Sequence, residues 1–365
     1  MATYKSIRYI VPVEAVEHTD SINALNDVDT NTTAPTDGQI LKWNNTNSKW
    51  YPGDVEESAS TTQKAIFGFG FEESVTVASV NTTNLVSSTG VVSTDTTGVG
   101  TARSKLAASG YGGDKGIFGF GSSLTNKTNL VSNAGVVSTD STGIGTGRGN
   151  LAAAGFGGDK AIFGFGDTSS STFKNITNLV SNTGVVSSDQ TGVGTARSKL
   201  AATGYGGDKA IFGFGRTGSN FTNITNLVSN AGVVASDTTG VGSGRGYLAA
   251  AGYGSTGQAI FGFGEEFYGM DGPSWFNETN LVSNTGVVAS DTTGVGSDTA
   301  MLAAAGYGGD KAIFGFGSMI NPAYGSESIT NKTNLVSNTG VVSSDVTGVG
   351  IARYMLAAAG YSTTA

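Results

Sequence analysis

The tetrapeptide Phe-Gly-Phe-Gly occurs six times in this chain, beginning at Phe67, Phe118, Phe163, Phe212, Phe261 and Phe314. Each copy is followed by Asn-Leu-Val-Ser, with its leucine at Leu85, Leu130, Leu179, Leu227, Leu281 or Leu335. Gly-Val-Val comes next, then an aspartate at Asp95, Asp140, Asp189, Asp237, Asp291 or Asp345. The unit ends with Leu-Ala-Ala-x-Gly-(Tyr/Phe), starting at Leu106, Leu151, Leu200, Leu248, Leu302 and Leu356. Measured between Phe-Gly-Phe-Gly copies, periods run from 45 to 53 residues. A unit repeated with this fidelity is one supersecondary structure that buries its apolar faces against copies of itself.

Within each unit, short apolar runs are separated by glycine and aspartate turn signals, which reads as four short strands. Leu-Ala-Ala-Ala-Gly-Tyr carries only small residues at its centre, as an innermost strand beside a crowded axis requires. Its flanking glycines and its length argue against a helix. Lys-Ala-Ile-Phe-Gly-Phe-Gly is apolar on both faces, as expected of a strand sandwiched between neighbours, and its glycines leave room for the aromatic rings of the next unit. The repeat length suits one four-stranded propeller blade and is too long for a leucine-rich repeat. The expected fold is therefore all-β, a six-bladed β-propeller with four-stranded blades over residues 61–365. An extended N-terminal arm with a β-hairpin, residues 1–60, precedes it.

The ends of the array argue for closure. The first repeat starts at Lys64 with the second strand, without an inner strand of its own, and the chain finishes with an extra one, Leu356 to Tyr361. If the C-terminal strand completes the first blade, the ring closes and no sheet edge is left exposed. An open solenoid would instead carry polar capping repeats, and none is seen.

Composition narrows the chemistry. Glycine fills 57 of 365 positions and charged residues are 13% of the chain, so few solvated helix faces can form. At 38% hydrophobic the chain is richer in apolar residues than disordered sequences are. Cysteine is absent, which excludes disulfides, thiol catalysis and thiolate-bound zinc. The single histidine, His18, argues against a His-based metal site or a Ser-His-Asp triad. A net charge of −8 without a basic cluster argues against nucleic-acid binding. No apolar run reaches the length of a membrane span, and no signal peptide is expected at Met1–Val16.

Ala196 to Gly215, Ala-Arg-Ser-Lys-Leu-Ala-Ala-Thr-Gly-Tyr-Gly-Gly-Asp-Lys-Ala-Ile-Phe-Gly-Phe-Gly, resembles a kelch-type repeat. The shared features are the arginine before the inner strand, the small residues within it and the glycines ending strand two. Phe-Gly-Phe-Gly stands in place of the family's glycine doublet, and the later Tyr and Trp are missing. The resemblance spans residues 64–361 and implies the blade architecture.

Residues 1–60 hold no copy of the repeat. Asp37 to Trp43 and Lys49 to Gly53 flank a polar turn and read as a hairpin. Leu25-Asn-Asp-Val28 followed by Asp37-Gly-Gln-Ile-Leu-Lys-Trp43 resembles a short module of tailed-bacteriophage fibre and other virion proteins. That module sits near the particle-attached end, ahead of a host-facing domain. The resemblance implies attachment to other virion proteins through the arm, with Ile40, Trp43, Trp50 and Tyr51 as the contact residues, and a place in the virion as a homo-oligomer.

The remaining candidates are weighed residue by residue. The Ser/Ala-x-Asp-x-Thr-Gly segments superficially resemble a sialidase Asp-box, but the glycine is displaced and the terminal Trp is missing, so an Asp capping a tight turn explains them. Arg103, Arg148, Arg197, Arg245 and Arg353 stand three residues before the inner strand, with Thr299 in the remaining repeat. Two readings stay open for them: an anion-binding ring at a channel mouth, or bridges between blades through backbone carbonyls. Asn-x-Thr triplets such as those at Asn126, Asn175 and Asn223 read as strand-start polar residues. No residue set supplies a general acid, base or nucleophile, and no metal or cofactor is expected.

Spacing is more telling. From the leucine to the aspartate is ten positions in all six repeats, and from that aspartate to the next leucine eleven. Between Phe-Gly-Phe-Gly and the following Thr-Asn-Leu, however, the insert measures 12, 6, 10, 9, 14 and 15 residues. Six loops on one face vary while the rest is constant. The two longest carry Tyr268, Met270, Trp275, Phe276, Met319 and Tyr324, side-chain types that binding loops use. The expectation is a non-enzymatic virion protein of the tail-fibre or adsorption type, binding a host-surface glycan or protein through these loops. A capsid or tail decoration protein without receptor binding is the alternative, and a sialidase- or lyase-like propeller enzyme a distant third.

Overall fold

A computed structural model describes residues 27–28, 40–44, 46–53, 62–73, 78–169, 171–267, 273–320 and 327–363. Contacts divide the chain into two units, Met1–Ala59 and Ser60–Ala365.

In the first unit, Ile40–Asn44 pairs antiparallel with Lys49–Gly53, placing Trp43 opposite Trp50. The turn is held by the Thr46 amide donating to Asn44 Oδ1 at 2.9 Å. The two indole rings meet edge to face at 5.4 Å. Buried Val28 bridges Trp50 in parallel. The expected hairpin is present over Ile40–Asn44 and Lys49–Gly53, and Asp37 lies outside the described residues.

The second unit is built of small antiparallel sheets, with no α-helix among the described residues. In its plainest copy, Ala107–Tyr111 pairs with Lys115–Gly119, which pairs with Thr128–Val131. The pattern recurs at Ala152–Val180, Ala201–Val228, Ala249–Val282 and Ala303–Val336. Gly112 and Gly113 turn the first pair with φ of 64° and 78°, a region that costs glycine nothing. The middle strand is buried along almost its whole length, so its two apolar faces are both used. The sixth such sheet joins the chain ends: Ala357–Thr363 pairs with Thr62–Gly68, which pairs with Thr83–Val86. The C-terminal inner strand therefore completes the first repeat, as its extra copy of the motif implied.

The expected fourth strand is the main departure. Only two isolated bridges stand where it was placed, Val86 with Val92 and Thr83 with Thr96 in the first repeat, and their equivalents elsewhere. Between them Ser93 Oγ accepts from the Leu85 amide, while the Ser93 amide donates to the Leu85 carbonyl. The hydroxyl bond recurs at Ser138, Ser187 and Ser343, but Ala235 and Ala289 hold the same place with the same two bridges, so the backbone bridges themselves tie the segment to the sheet.

Phenylalanines join the sheets to one another. Phe69 packs on Phe118, Phe120 on Phe163, Phe165 on Phe212, Phe214 on Phe261, Phe263 on Phe314 and Phe316 on Phe67, with ring centroids 5.1–5.2 Å apart. The succession thus returns to the sheet at which it began. All twelve rings are 0–1% exposed, and each contributes about 2 kcal/mol through burial. The glycine between each phenylalanine pair makes this packing possible. A Cβ on Gly164 would lie 2.7 Å from Phe212 Cζ, and one on Gly68 the same distance from Phe118 Cζ. The room that the glycines were expected to leave is occupied by aromatic rings.

Candidate functional site

All six inserts leave the same end of the sheets, the end at which the inner strands begin. In the two longest, the strands simply continue: Gln258–Phe267 pairs with Pro273–Val282, and Lys311–Ile320 with Glu327–Val336, each across a register shift at the Phe-Gly-Phe-Gly motif. Trp275 lies opposite Glu265 in the first of these hairpins and is 5% exposed. It was expected as an exposed anchor, but the hairpin turns it inward, so it supports the loop instead of meeting a partner. Phe276 and Met319 are half-buried, and Met319 pairs with Thr299. Tyr268, Met270 and Tyr324 lie outside the described residues. In the first unit Trp43 and Tyr51 are exposed and Trp50 is half-buried. The side chain of Ile40 lies outside the description.

The five arginines are structural. Arg148 is fully buried, donates Nε to the Phe165 carbonyl at 2.6 Å and Nη1 to the Thr146 carbonyl at 3.0 Å, and gives Nη2 to Asn178 Oδ1 at 2.8 Å. Its guanidinium carbon stands 4.5 Å from the Phe120 ring centre in the neighbouring sheet. Arg103, Arg197, Arg245 and Arg353 stack in the same way on Phe69, Phe165, Phe214 and Phe316. Burial lowers the Arg148 pKa to about 10, opposed by the charge of Asp189. An anion-binding ring is ruled out because these groups face the sheet interiors, and the carbonyl-bridging reading holds.

The aspartates do more than cap a turn. Asp140 accepts from the amide and hydroxyl of Thr101, 39 positions earlier, and from Asn129 and Lys127. It thereby fastens the strand-to-strand crossing of one repeat to the outer strand of the next. Asp95 does the same across the chain ends, accepting from the Ile351 amide at 2.9 Å. Asn126, Asn175 and Asn223, at the strand starts, donate to the carbonyls of Gly145, Gly194 and Gly242.

These bonds set an acid dependence. For Asp140, Asp189, Asp237, Asp291 and Asp345, burial alone would raise the pKa, but the donated hydrogen bonds together outweigh it and hold each group below the ordinary carboxylate value. A depressed folded-state pKa stabilises fully above the unfolded value near 4, and that stability is lost as pH falls below it. At roughly 1 kcal/mol each after solvent screening, the five groups make the melting temperature level from pH 8 to about 5 and steeply falling below about 4. Thermal unfolding across that range is the check. A melting temperature unchanged at pH 3 would contradict the network.

Six residues escaped the reading of the sequence. Lys105, Asn150, Lys199, Tyr247, Met301 and Met355 each stand just before the first leucine of an inner strand, with φ between 51° and 59°. The Asn150 amide donates to the Lys105 carbonyl, Lys199 to Asn150, Tyr247 to Lys199, Met301 to Tyr247, Met355 to Met301, and Lys105 to Met355, at 2.8–2.9 Å throughout. These six residues and the leucines after them line a small cavity of about 110 Å³. Left-handed backbone costs a non-glycine residue roughly 1–2 kcal/mol. The signal that could have found them is their variability: Lys, Asn, Lys, Tyr, Met and Met precede an otherwise constant Leu-Ala-Ala. Glu265, 4% exposed, meets Lys199 at 3.8 Å, and Lys199 Nζ lies 4.1 Å from the Tyr247 ring centre. Burial pushes the Glu265 carboxyl up and the Lys199 ammonium down, and their mutual attraction opposes both shifts.

At the other end of the inner strands a wider cavity of about 680 Å³ is lined by small residues such as Ala108, Ala153 and Ala202. Its lysines, including Lys115, Lys160, Lys209 and Lys311, are each paired with the aspartate immediately before them at 2.5–2.9 Å. The Gly-Gly-Asp-Lys turn at that end is the same in four repeats, is Gly254-Ser-Thr-Gly-Gln258 in a fifth, and is missing where Ala357–Thr363 pairs with Thr62–Gly68. Among the described residues no group of three His, Cys, Asp or Glu is placed to hold a metal ion, and no helix is long and apolar enough to cross a membrane. No family model matches the chain, and no curated protein does either.

Proposed function

We propose that residues 60–365 form a closed six-bladed β-propeller, and that the chain is a non-enzymatic bacteriophage virion protein of the adsorption type. On this reading it presents the propeller to a host-surface glycan or protein. Two circuits support the ring: the phenylalanine pairs that return from Phe316 to Phe67, and the backbone bonds that return from Met355 to Lys105. A fold does not by itself specify a function. The observation that carries the adsorption reading is the concentration of divergence at one end of the sheets. Insert length, insert composition and the six residues before the leucines all vary there, while at the other end Gly-Gly-Asp-Lys is the same in four of the six repeats. A scaffold held uniform beneath one variable face is what a recognition surface needs.

The arm supplies the particle side of the proposal. Its resemblance to virion attachment modules, with exposed Trp43 and Tyr51, fits docking onto other virion proteins in a homo-oligomeric assembly. Competition tests the reading. Purified full-length chain added in excess to virions that carry it is expected to slow their adsorption to host cells at least tenfold. Unchanged adsorption would overturn the proposal and favour a decoration protein that only shields the particle.

A further inference from the structure

At the variable end of the inner strands the six residues in left-handed backbone fall into two arcs. Following the hydrogen-bond circuit, Lys105, Asn150 and Lys199 are consecutive, and Tyr247, Met301 and Met355 complete the turn. One side of the mouth is cationic and amide-bearing, the other apolar. The conformation disfavours five of these six residues, and glycine would relieve it everywhere. This chain places glycine at most of its other left-handed positions, among them Gly112, Gly113, Gly157 and Gly158. The left-handed phenylalanines have an evident use, because their rings fill the seams between sheets. Lys105 has no such use: among the described residues its ammonium makes no hydrogen bond or ion pair. Lys199, by contrast, is held by Glu265, and Asn150 donates Nδ2 to Asp167 at 2.9 Å.

We propose that this mouth is a binding site for an acidic saccharide, with Lys105 taking a sugar carboxylate, the Asn150 amide oxygen accepting from a sugar hydroxyl beside it, and Met301, Met355 and Tyr247 meeting the C–H face of the sugar. The site rests on the adsorption reading and gives its receptor a chemical class. The cavity of about 110 Å³ has room for about three waters, so a carboxylate enters and the sugar ring stays above it. Tyr247 retains its hydroxyl proton, since burial pushes its pKa upward, and so remains a hydrogen-bond donor. The lysines of the opposite cavity lack this capacity because each is already neutralised by its own aspartate.

Lys105→Gly and Met301→Gly remove the side chains while keeping a residue suited to the backbone. Both variants are expected to melt no lower than the parent chain, whereas a clear fall would show that the side chains are a structural plug and overturn the proposal. Titration calorimetry of the full chain with trisaccharides ending in galacturonate, glucuronate or N-acetylneuraminate, against a galactose trimer and sodium sulfate, reads binding directly. At least one acidic trimer is expected to bind tenfold more tightly than both controls. Its affinity should fall at least tenfold in Lys105→Gly and weaken with added salt, and fall at least threefold in Met301→Gly. No preference for any acidic trimer, or sulfate binding as tightly as the best of them, overturns the proposal. Host-cell adsorption separates the two levels of the argument. Adsorption that persists in Lys105→Gly sinks this site alone, and a parent chain that fails to adsorb sinks the reading beneath it.

Discussion

Cutting the chain after Arg353 is expected to abolish cooperative folding of residues 60–365, not just to lower the melting temperature. The cut removes Ala357–Thr363, the strand that pairs residue for residue with Thr62–Gly68. It strips Leu356 and Tyr361, 5% and 3% exposed, from the seams on either side, and these two side chains alone represent about 4 kcal/mol of burial. The middle strand of the first repeat becomes an open edge, with unpaired amides and carbonyls. Loss of Met355 also breaks the backbone circuit on both sides, at Lys105 and at Met301. The sum exceeds about 5 kcal/mol, the scale of an ordinary domain's entire stability. Calorimetry of the truncated and full chains is the check, and a truncated protein with an unchanged transition would show that the ends do not depend on each other.

The second large effect belongs to the buried arginines. Arg148→Ala is expected to cost about 3–5 kcal/mol, because it leaves the Phe165 and Thr146 carbonyls and Asn178 Oδ1 without donors in a dry seam. Arg148→Lys should recover little of this, since one ammonium cannot serve three acceptors in the plane that a guanidinium spans. The molecule holds its own control at Thr299, where the arginine is missing. There Thr299 and Ala300 pair with Met319 and Ser318, and the Thr299 hydroxyl donates to the Ser297 carbonyl. The Ala300–Ser318 pair has counterparts at Gly149–Asp167 and Ser198–Arg216, so Thr299–Met319 is the one added backbone pair where the side chain is absent. Chemical denaturation of the two Arg148 variants measures the cost, and a loss below 1 kcal/mol for Arg148→Ala would show that the seam does not need the bridge.

Much of this architecture was legible because each repeat states the same constraint six times. Small residues mark the inner strand, an apolar run marks the middle strand, and Phe-Gly-Phe-Gly marks a ring seated against a glycine. The orphan motif at Leu356 marked the partner of Lys64. What stayed hidden involves partners far apart in the chain. The tie from Asp95 to Ile351 spans 256 positions, and nothing local to either residue announces it. The regular fourth strand does not form: two isolated backbone bridges per repeat hold that segment to the sheet, and the turn signals of the sequence do not show that pairing stops there. Trp275 was placed among the contact residues because an aromatic in a long insert suggests a binding loop, whereas the strands continue and leave the indole 5% exposed. The six left-handed residues were hidden most completely, since lysine, tyrosine and methionine are the types least expected in that conformation.

The closed ring is the claim on which the rest depends, and an experimental structure of the full chain tests it most directly. The account predicts six sheets about one axis, Ala357–Thr363 paired with Thr62–Gly68, and a hydrogen bond from the Lys105 amide to the Met355 carbonyl. A gap between the first and last repeats, with Ala357–Thr363 unpaired or joined to another copy of the chain, would contradict it.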